Sequence, residues 1–411
     1  MPYQSLARLF YADTSPDRYA ANKSLAQKRL EAESTFRTGM ITPNGELFLA
    51  VPRELSLLNE QVLRYERRIS QNLRTLPPVA RAALVRGLVV DEVVSTNELE
   101  GVHSTRRQIN DILQADIASD SPRMDRRFRE LVRLYLNLSD EDKIFPATPQ
   151  DIRSIYDRVM AGEKLGKNAP DGKLFRKDGV DVIGSGGKVL HQGLYPESRI
   201  QEGIELMLAL MDSDEIPATY SAIVGHYIFE YIHPFYDGNG RTGRYLLALY
   251  LSRPLSLLTS LSLSRVIAEN RSAYYKSFKD AEHKLNHGEL TLFVMSILRD
   301  VQIAQEELDL ALHEKNQQLT EAISLLDKIQ KEESLSSKEA EIMFSLVQLK
   351  LFAAFDDATL QEIAEHLTVG TQQARKYLKR LEEKNLVCAI NSRPLRFVLS
   401  DRAYELFGFE E

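Results

Sequence analysis

Between Ile232 and Arg244 the chain reads Ile-His-Pro-Phe-Tyr-Asp-Gly-Asn-Gly-Arg-Thr-Gly-Arg, a stretch whose residue types and spacing suit phosphate chemistry. Gly238-Asn239-Gly240 admits backbone conformations closed to other residues and lets a ligand approach the main chain closely. The apolar run Tyr245–Leu249 follows, so a helix must start at this turn. Unpaired N–H groups and the positive end of the macrodipole then converge as an anion site. Arg241 and Arg244 are three apart and share one face of that helix. Two planar guanidinium forks beside an amide nest suit a di- or triphosphate better than a single carboxylate. Asp237 supplies a carboxylate where a Mg²⁺ bridging the phosphates would sit. His233, four residues earlier, is the one group in the stretch that exchanges protons near neutral pH. Each of these residues alone is commonplace, and their joint occurrence is what points to a site.

The same stretch, His233 to Arg244, resembles the Fic-domain signature His-Pro-Phe-x-Asp-Gly-Asn-Gly-Arg-x-x-Arg at every specified position. With His226–Glu230 just upstream and the segment Val180–Leu190, the resemblance covers roughly residues 80 to 300. Fic proteins mostly transfer AMP from ATP to a hydroxyl side chain of a target protein. The resemblance implies that His233 is the general base for a target Ser, Thr or Tyr hydroxyl, and that Phe235 is buried and anchors the loop. It implies that Asp237 ligates Mg²⁺ and that Gly238, Asn239 and Gly240 cradle the α- and β-phosphates. Arg241 would hold the β-phosphate and Arg244 the γ-phosphate. The hairpin near Asp181–Lys188, with Val182 and Ile183, corresponds to the family's flap, which holds the target's main chain by strand addition. On its own pattern it reads equally as an ordinary surface hairpin.

A second motif precedes the first. Thr96-Asn97-Glu98-Leu99-Glu100-Gly101 is similar to the family's inhibitory signature, a Ser or Thr followed four residues later by Glu and then Gly or Asn. Alone it reads as a helix end with a glycine cap. The resemblance implies a brake in which Glu100 pairs with Arg244 and takes away the γ-phosphate partner. In some relatives the same Glu orients a water that removes AMP, so a pure transferase and a bifunctional or mainly AMP-removing enzyme both stay open. A DNA-binding regulator with a nucleotide-binding Fic region is the reading from another class.

Helical periodicity dominates the elements that must position these residues, giving a mainly α fold. The resemblance implies a Fic helical core with a small β-hairpin flap, and the carboxyl-terminal order of helix, turn, helix and β-hairpin resembles a winged helix-turn-helix. At 411 residues two or three domains are expected. The boundaries read as an amino-terminal helical region at 1–80, a Fic domain at 81–300 with the inhibitory helix near 92–101 and the flap near 178–191, a linker helix at 301–335, and the winged module at 336–411. Leu55–Leu73 and Val79 to about Glu100 are helical in period, broken by Pro77-Pro78. Strand-like alternation is confined to the central segment, turned by Gly184-Ser185-Gly186-Gly187, and to the carboxyl-terminal end. Leu308, Leu312, Leu319, Ala322, Leu326 and Ile329 form a seam interrupted by Lys315, which reads either as a homodimer element or as a helix packed on its own domain. Thr359 and Glu362 form a capping box, a third helix runs Thr371 to Lys384, and Leu386–Ile390 and Leu395–Leu399 alternate as strands.

The formal net charge is −7, so broad attraction to nucleic acid or anionic membrane is not expected. The third carboxyl-terminal helix is locally basic through Arg375, Lys376, Lys379, Arg380 and Lys384, yet Lys338–Glu411 holds ten basic residues against twelve acidic ones. DNA and protein partners both remain open for this module. Cys388 is the only cysteine, which excludes an internal disulfide and fits a reducing compartment. With no apolar run of spanning or signal-peptide length, the expectation is a cytoplasmic protein without a membrane partner. His283 and His287 lack a third ligand in sequence reach and read as a solvated helix end.

Overall fold

Ala218–Ile232 is apolar nearly all round and Asn239–Leu251 is apolar from Tyr245 onward, and both are buried over most of their length, which puts the two helices at the centre of a helical core rather than on its surface. They pack against each other, with Glu197–Met211 against the first and Pro149–Val159 against the second. The computed structural model describes residues 2–117, 127–140, 142–183, 189–392 and 394–409. The expected flap turn Gly184–Gly187, Lys188 and Arg393 lie outside the described residues. The chain divides into two units, Met1–Arg67 with Val89–Glu307, and Arg68–Leu88 with Leu308–Glu411.

The first unit holds the Ile232–Arg244 stretch. Phe235 in the connecting loop is fully buried, its ring stacked on Tyr156 with centroids 3.6 Å apart and meeting Phe175 edge-on at 5.5 Å. Asn239 braces the same loop from the first turn of the next helix. Its Oδ1 accepts the Phe235 N–H at 3.0 Å and its Nδ2 donates to the Phe235 carbonyl at 2.8 Å. The amino-terminal region is not wholly helical: Thr35–Thr42 and Gly45–Ala50 pair as an antiparallel hairpin, with Thr35 opposite Ala50 and Thr42 opposite Gly45. This corrects the confinement of strand character to the centre and the carboxyl end. The first strand carries apolar side chains on both faces, Met40 buried and Ile41 exposed, which blurs the alternation that marks a half-buried strand. His287 is half-buried with Nε2 2.7 Å from Asn22 Oδ1, and His283 caps the short helix Lys284–Asn286, so the two are structural rather than a solvated end.

In the second unit Leu308, Leu312, Leu319, Ala322, Leu326 and Ile329 of the helix Thr291–Glu332 are buried within the one chain. Their burial needs no second copy, and Lys315 lies over the Phe352 ring at 5.6 Å. Capping boxes start the helices Ser337–Phe352 and Leu360–His366. The helix Thr371–Glu383 buries Ala374, Leu378 and Leu381 and exposes Arg375 and Lys376. A three-stranded sheet follows, in which Leu395–Leu399 lies between Ala358–Thr359 and Val387–Ser392, and the helix Asp401–Phe407 comes after it. Among the described residues no helix is long and apolar enough to cross a membrane.

Replacing Phe235 by Ala removes a ring held between two others and should cost about 3–5 kcal/mol. Urea denaturation followed by circular dichroism is expected to show a lower midpoint, and an unchanged midpoint would contradict the anchoring role.

Candidate active site

The helix Ala218–Ile232 stops because His233 takes left-handed backbone angles, φ 50° and ψ 62°, while its N–H closes the last turn on the Phe229 carbonyl at 3.0 Å. The ring is half-buried, with Nδ1 3.3 Å from the Glu230 carbonyl oxygen. A proton on Nδ1 is thereby favoured, leaving the Nε2 lone pair to accept one. Burial, followed by the neighbouring His191, pushes the imidazole down to about 4, and Arg176 works in the same direction. Glu100 and the Glu230 carbonyl oppose the shift. At neutral pH the ring is therefore an unprotonated base.

Gly238 caps the next helix with φ +82°, and a Cβ there would come within 2.4 Å of the Met160 sulfur, so glycine is required on both counts. Its N–H donates to Asp237 Oδ1 at 2.7 Å, and its carbonyl accepts the Thr242 hydroxyl at 2.9 Å. Asp237 itself is exposed. The Asn239 side chain is engaged in bracing Phe235, so what this residue can offer a ligand is its backbone N–H.

An anionic group already stands at this helix start. A Cβ on Gly240 would lie 2.0 Å from Glu100 Oε1, which measures how closely that carboxylate sits on the first turn. The same oxygen accepts from Arg244 Nη2 at 2.7 Å. Arg244 also donates from Nε to the Thr96 hydroxyl at 2.8 Å and from Nη2 to the Thr96 carbonyl at 3.1 Å. The Arg244 side chain is 2% exposed and that of Glu100 29%, so solvent reaches the pair from the carboxylate side. Burial works upward on the Glu100 carboxyl, but the charge and hydrogen bond of Arg244, with smaller help from Arg241 and His233, hold it below the usual carboxylate range. Glu100 is placed by the end of the helix Pro78–Leu99, where Gly101 adopts φ +69° and the Val102 N–H returns to the Asn97 carbonyl at 2.9 Å.

Arg241 is held separately. Nη1 donates to Glu163 Oε1 at 2.9 Å, Nη2 lies 3.0 Å from the Met160 sulfur, and Nε is buried with no partner among the described residues. Each arginine of the motif thus has its own carboxylate, Glu100 for Arg244 and Glu163 for Arg241. Behind them Glu230 is half-buried, and burial of its carboxyl, against the pull of Arg244, pushes it up to about 8.

The strands Asp181–Ile183 and Val189–Gln192 pair antiparallel, with Val182 opposite His191. Ile183 is 64% exposed. The pair is rooted by the Gly193 N–H on the Val180 carbonyl at 3.0 Å and the Leu194 N–H on the Ile232 carbonyl at 3.0 Å.

Residues 146–251 match the model of the Fic/DOC family. This chain carries a Fic domain. Over 205 residues the chain is 30% identical to a protein adenylyltransferase Fic of Drosophila mojavensis, covering 48% of this chain and 37% of that one. It is 31% identical over 205 residues to the protein of the same name from Drosophila melanogaster, covering 48% and 38%. The chain therefore spans less than two fifths of the length of these curated relatives. The crystal structure of a Fic family protein from Desulfovibrio desulfuricans G20 superposes with a TM-score of 0.53 at 17% identity, over 85% of this chain and 97% of that one, which shows a shared fold. Glu100 and Thr96 precede the stretch matched as the Fic domain, and they meet it at Arg244 and Gly240.

Sequence reading did not find Glu163, Met160, Arg176 or Glu197, all of which touch or frame the Fic motif. Glu197 accepts three successive N–H groups, from Lys173, Leu174 and Phe175 at 2.9, 2.7 and 2.9 Å, and so shapes the turn that carries Arg176. None of the four has a local pattern, because each gains its role from a partner distant in the chain.

The depressed basicity of His233 makes the stability of the fold depend on pH. The folded state accepts this proton only at about 4, below the ordinary 6.5, so the residue's contribution to stability is complete above 6.5 and is lost as pH falls through 4. Titration by NMR should give a His233 midpoint near 4, and Glu100→Gln should lower it further by removing a favourable negative charge. A midpoint near 6.5 would contradict the site as described.

Proposed function

We propose that the protein is a protein adenylyltransferase that moves AMP from Mg²⁺-bound ATP to a hydroxyl side chain of a target protein and rests in a braked state. The observation that carries this reading is the Glu100 carboxylate lying on the helix start at Gly240 and on Arg244, a negatively charged group in a spot that favours anions. Similarity to the Drosophila adenylyltransferases supports the reaction type.

In this reading the backbone N–H groups after Gly238 and the side chains of Arg241 and Arg244 bind and align the phosphate chain, once Glu163 and Glu100 release the arginines. His233 Nε2 takes the proton from the target hydroxyl, whose oxygen forms a bond to the α-phosphorus as the bond to the diphosphate breaks. Positioning and charge neutralisation supply most of such catalysis. Among the described residues no group of three or more His, Cys, Asp or Glu could enclose a metal. A lone exposed carboxylate, Asp237, beside the nest fits Mg²⁺, which is commonly held by one or two carboxylates together with the substrate's phosphates. When bound, the ion would offset the negative charge on the phosphates. The strands Asp181–Ile183 and Val189–Gln192 would hold the target chain by its backbone, with Val182 and Ile183 along the contact.

Mass spectrometry after incubation with ATP and Mg²⁺ tests the assignment. Glu100→Gly is expected to raise incorporation of AMP into the protein itself by about tenfold or more, the effect of roughly 1.4 kcal/mol of relieved competition. Adding His233→Ala should lower it by about 10²–10⁴-fold, the usual contribution of a general base. Equal labelling of wild type and Glu100→Gly would remove the brake, and labelling that survives His233→Ala would remove the base.

A further inference from the structure

We propose that Arg176 is a positioning residue of the transfer reaction, whose guanidinium locks the loop bearing His233 and both roots of the flap strands into one frame. This rests on the adenylyltransferase reading and concerns a residue outside the signature motif.

Arg176 is 0% exposed, and among the described residues no carboxylate pairs with it. Its donors go to backbone carbonyls alone. Nε donates to His233 O at 2.8 Å, and Nη2 to Leu194 O at 2.7 Å and Ile232 O at 3.3 Å. Nη1 donates to Asp178 O at 2.6 Å. Its own N–H donates to Pro234 O at 3.2 Å. Three separate stretches meet on this one side chain: 232–233 with the base, 178 just before the strand Asp181–Ile183, and 194 just after Val189–Gln192. The approach leaves no slack, since a Cβ on Gly193 would lie 2.4 Å from Arg176 Nη2 and 3.0 Å from His233 Cβ.

A buried guanidinium without a counter-ion is costly, and an apolar side chain would fill the same volume without that cost. What only arginine supplies is a rigid planar fork whose donors reach oxygens on several segments at once. The Ile232 carbonyl also takes the Leu194 N–H, whereas the His233, Asp178 and Leu194 carbonyls have Arg176 as their partner. His233 is also held in left-handed angles, which are strained for a residue other than glycine and need surrounding restraint. Arg176 restrains its carbonyl while Phe229 restrains its N–H. The target backbone laid on the flap and the imidazole that takes its proton would thus be set against each other by one side chain, and small misplacements at such a junction are costly in rate.

The ATP-binding parts, on the helix Asn239–Leu251 and at Asp237, take no bond from Arg176, and this separates positioning from general structure. In the Glu100→Gly background, Arg176→Lys keeps the charge but not the fork, and Arg176→Met loses both. Calorimetry is expected to show Mg²⁺-ATP affinity within about threefold of the Glu100→Gly protein for both variants, while incorporation of AMP from labelled ATP into the protein itself falls at least about 30-fold in kcat. The pH profile adds a second readout. The charges facing His233 are those of Arg176, of His191 when protonated, and of Glu100, the last absent in this background. Removing the Arg176 charge favours the imidazolium, so the acid limb should move to higher pH in the Met variant and stay in place in the Lys variant. Transfer retained within threefold in Arg176→Lys overturns the proposal, as does ATP affinity falling in step with transfer, or loss of folding in both variants, which makes the residue structural. If Glu100→Gly itself gives no His233-dependent labelling, it is the adenylyltransferase reading that fails, and the positioning role falls with it.

Discussion

The start of the helix Asn239–Leu251 concentrates positive potential that nothing on its own element neutralises: free N–H groups, the end of the macrodipole, and two arginines within the first turns. Arg244 is almost wholly buried, so leaving it without an anion would be costly, and the chain meets that constraint with Glu100 from another helix. The pairing is asymmetric. Arg244 is locked by two further bonds to Thr96, whereas Glu100 stands at a helix end with its side chain partly in solvent. The arginine is thus the fixed partner and the carboxylate the exchangeable one. In the proposed reading an incoming phosphate would compete for the same donors and would have to offer more than the carboxylate it displaces.

Around that point the core is built to hold the loop still. Phe235 is clamped between Tyr156 and Phe175, Asn239 binds both backbone groups of Phe235, and Gly238 admits the Met160 side chain where a Cβ could not stand. His233 is thereby fixed in backbone and depressed in basicity by the same burial, which keeps it unprotonated at neutral pH. A base and an anion site that belong to one short loop are positioned together, so preorganisation of one is preorganisation of both.

Much of this was legible in the sequence where chemistry and proximity coincide. His233, Asp237, Gly238, Gly240, Arg241 and Arg244 lie in one stretch, and the helix that must begin after Gly238 orders them. Glu100 was legible only because Thr96 and Gly101 frame it, and the structure does bring it to Arg244. The helices Arg53–Thr75 and Pro78–Leu99 follow from apolar spacing and the proline pair between them. The hairpin Thr35–Ala50 was missed because Met40 and Ile41 put apolar side chains on both faces. Glu163 and Arg176 were missed for a different reason. Arg241 lies 78 residues from Glu163, and the His233 carbonyl 57 residues from Arg176, so tertiary contact alone gives them their roles. A charged residue reads as surface in any local pattern, and nothing near Arg176 announces that its partners are carbonyls.

The central claim is that one carboxylate and a nucleotide's phosphates contend for the same helix start and the same arginine. Isothermal calorimetry of Mg²⁺-ATP binding to the wild-type protein and to Glu100→Gln, which keeps the shape and removes the charge, measures that contention directly. The account requires binding at least about tenfold tighter in the Gln variant, a change of roughly 1.4 kcal/mol. Equal affinities in the two proteins, with both folded, would contradict it.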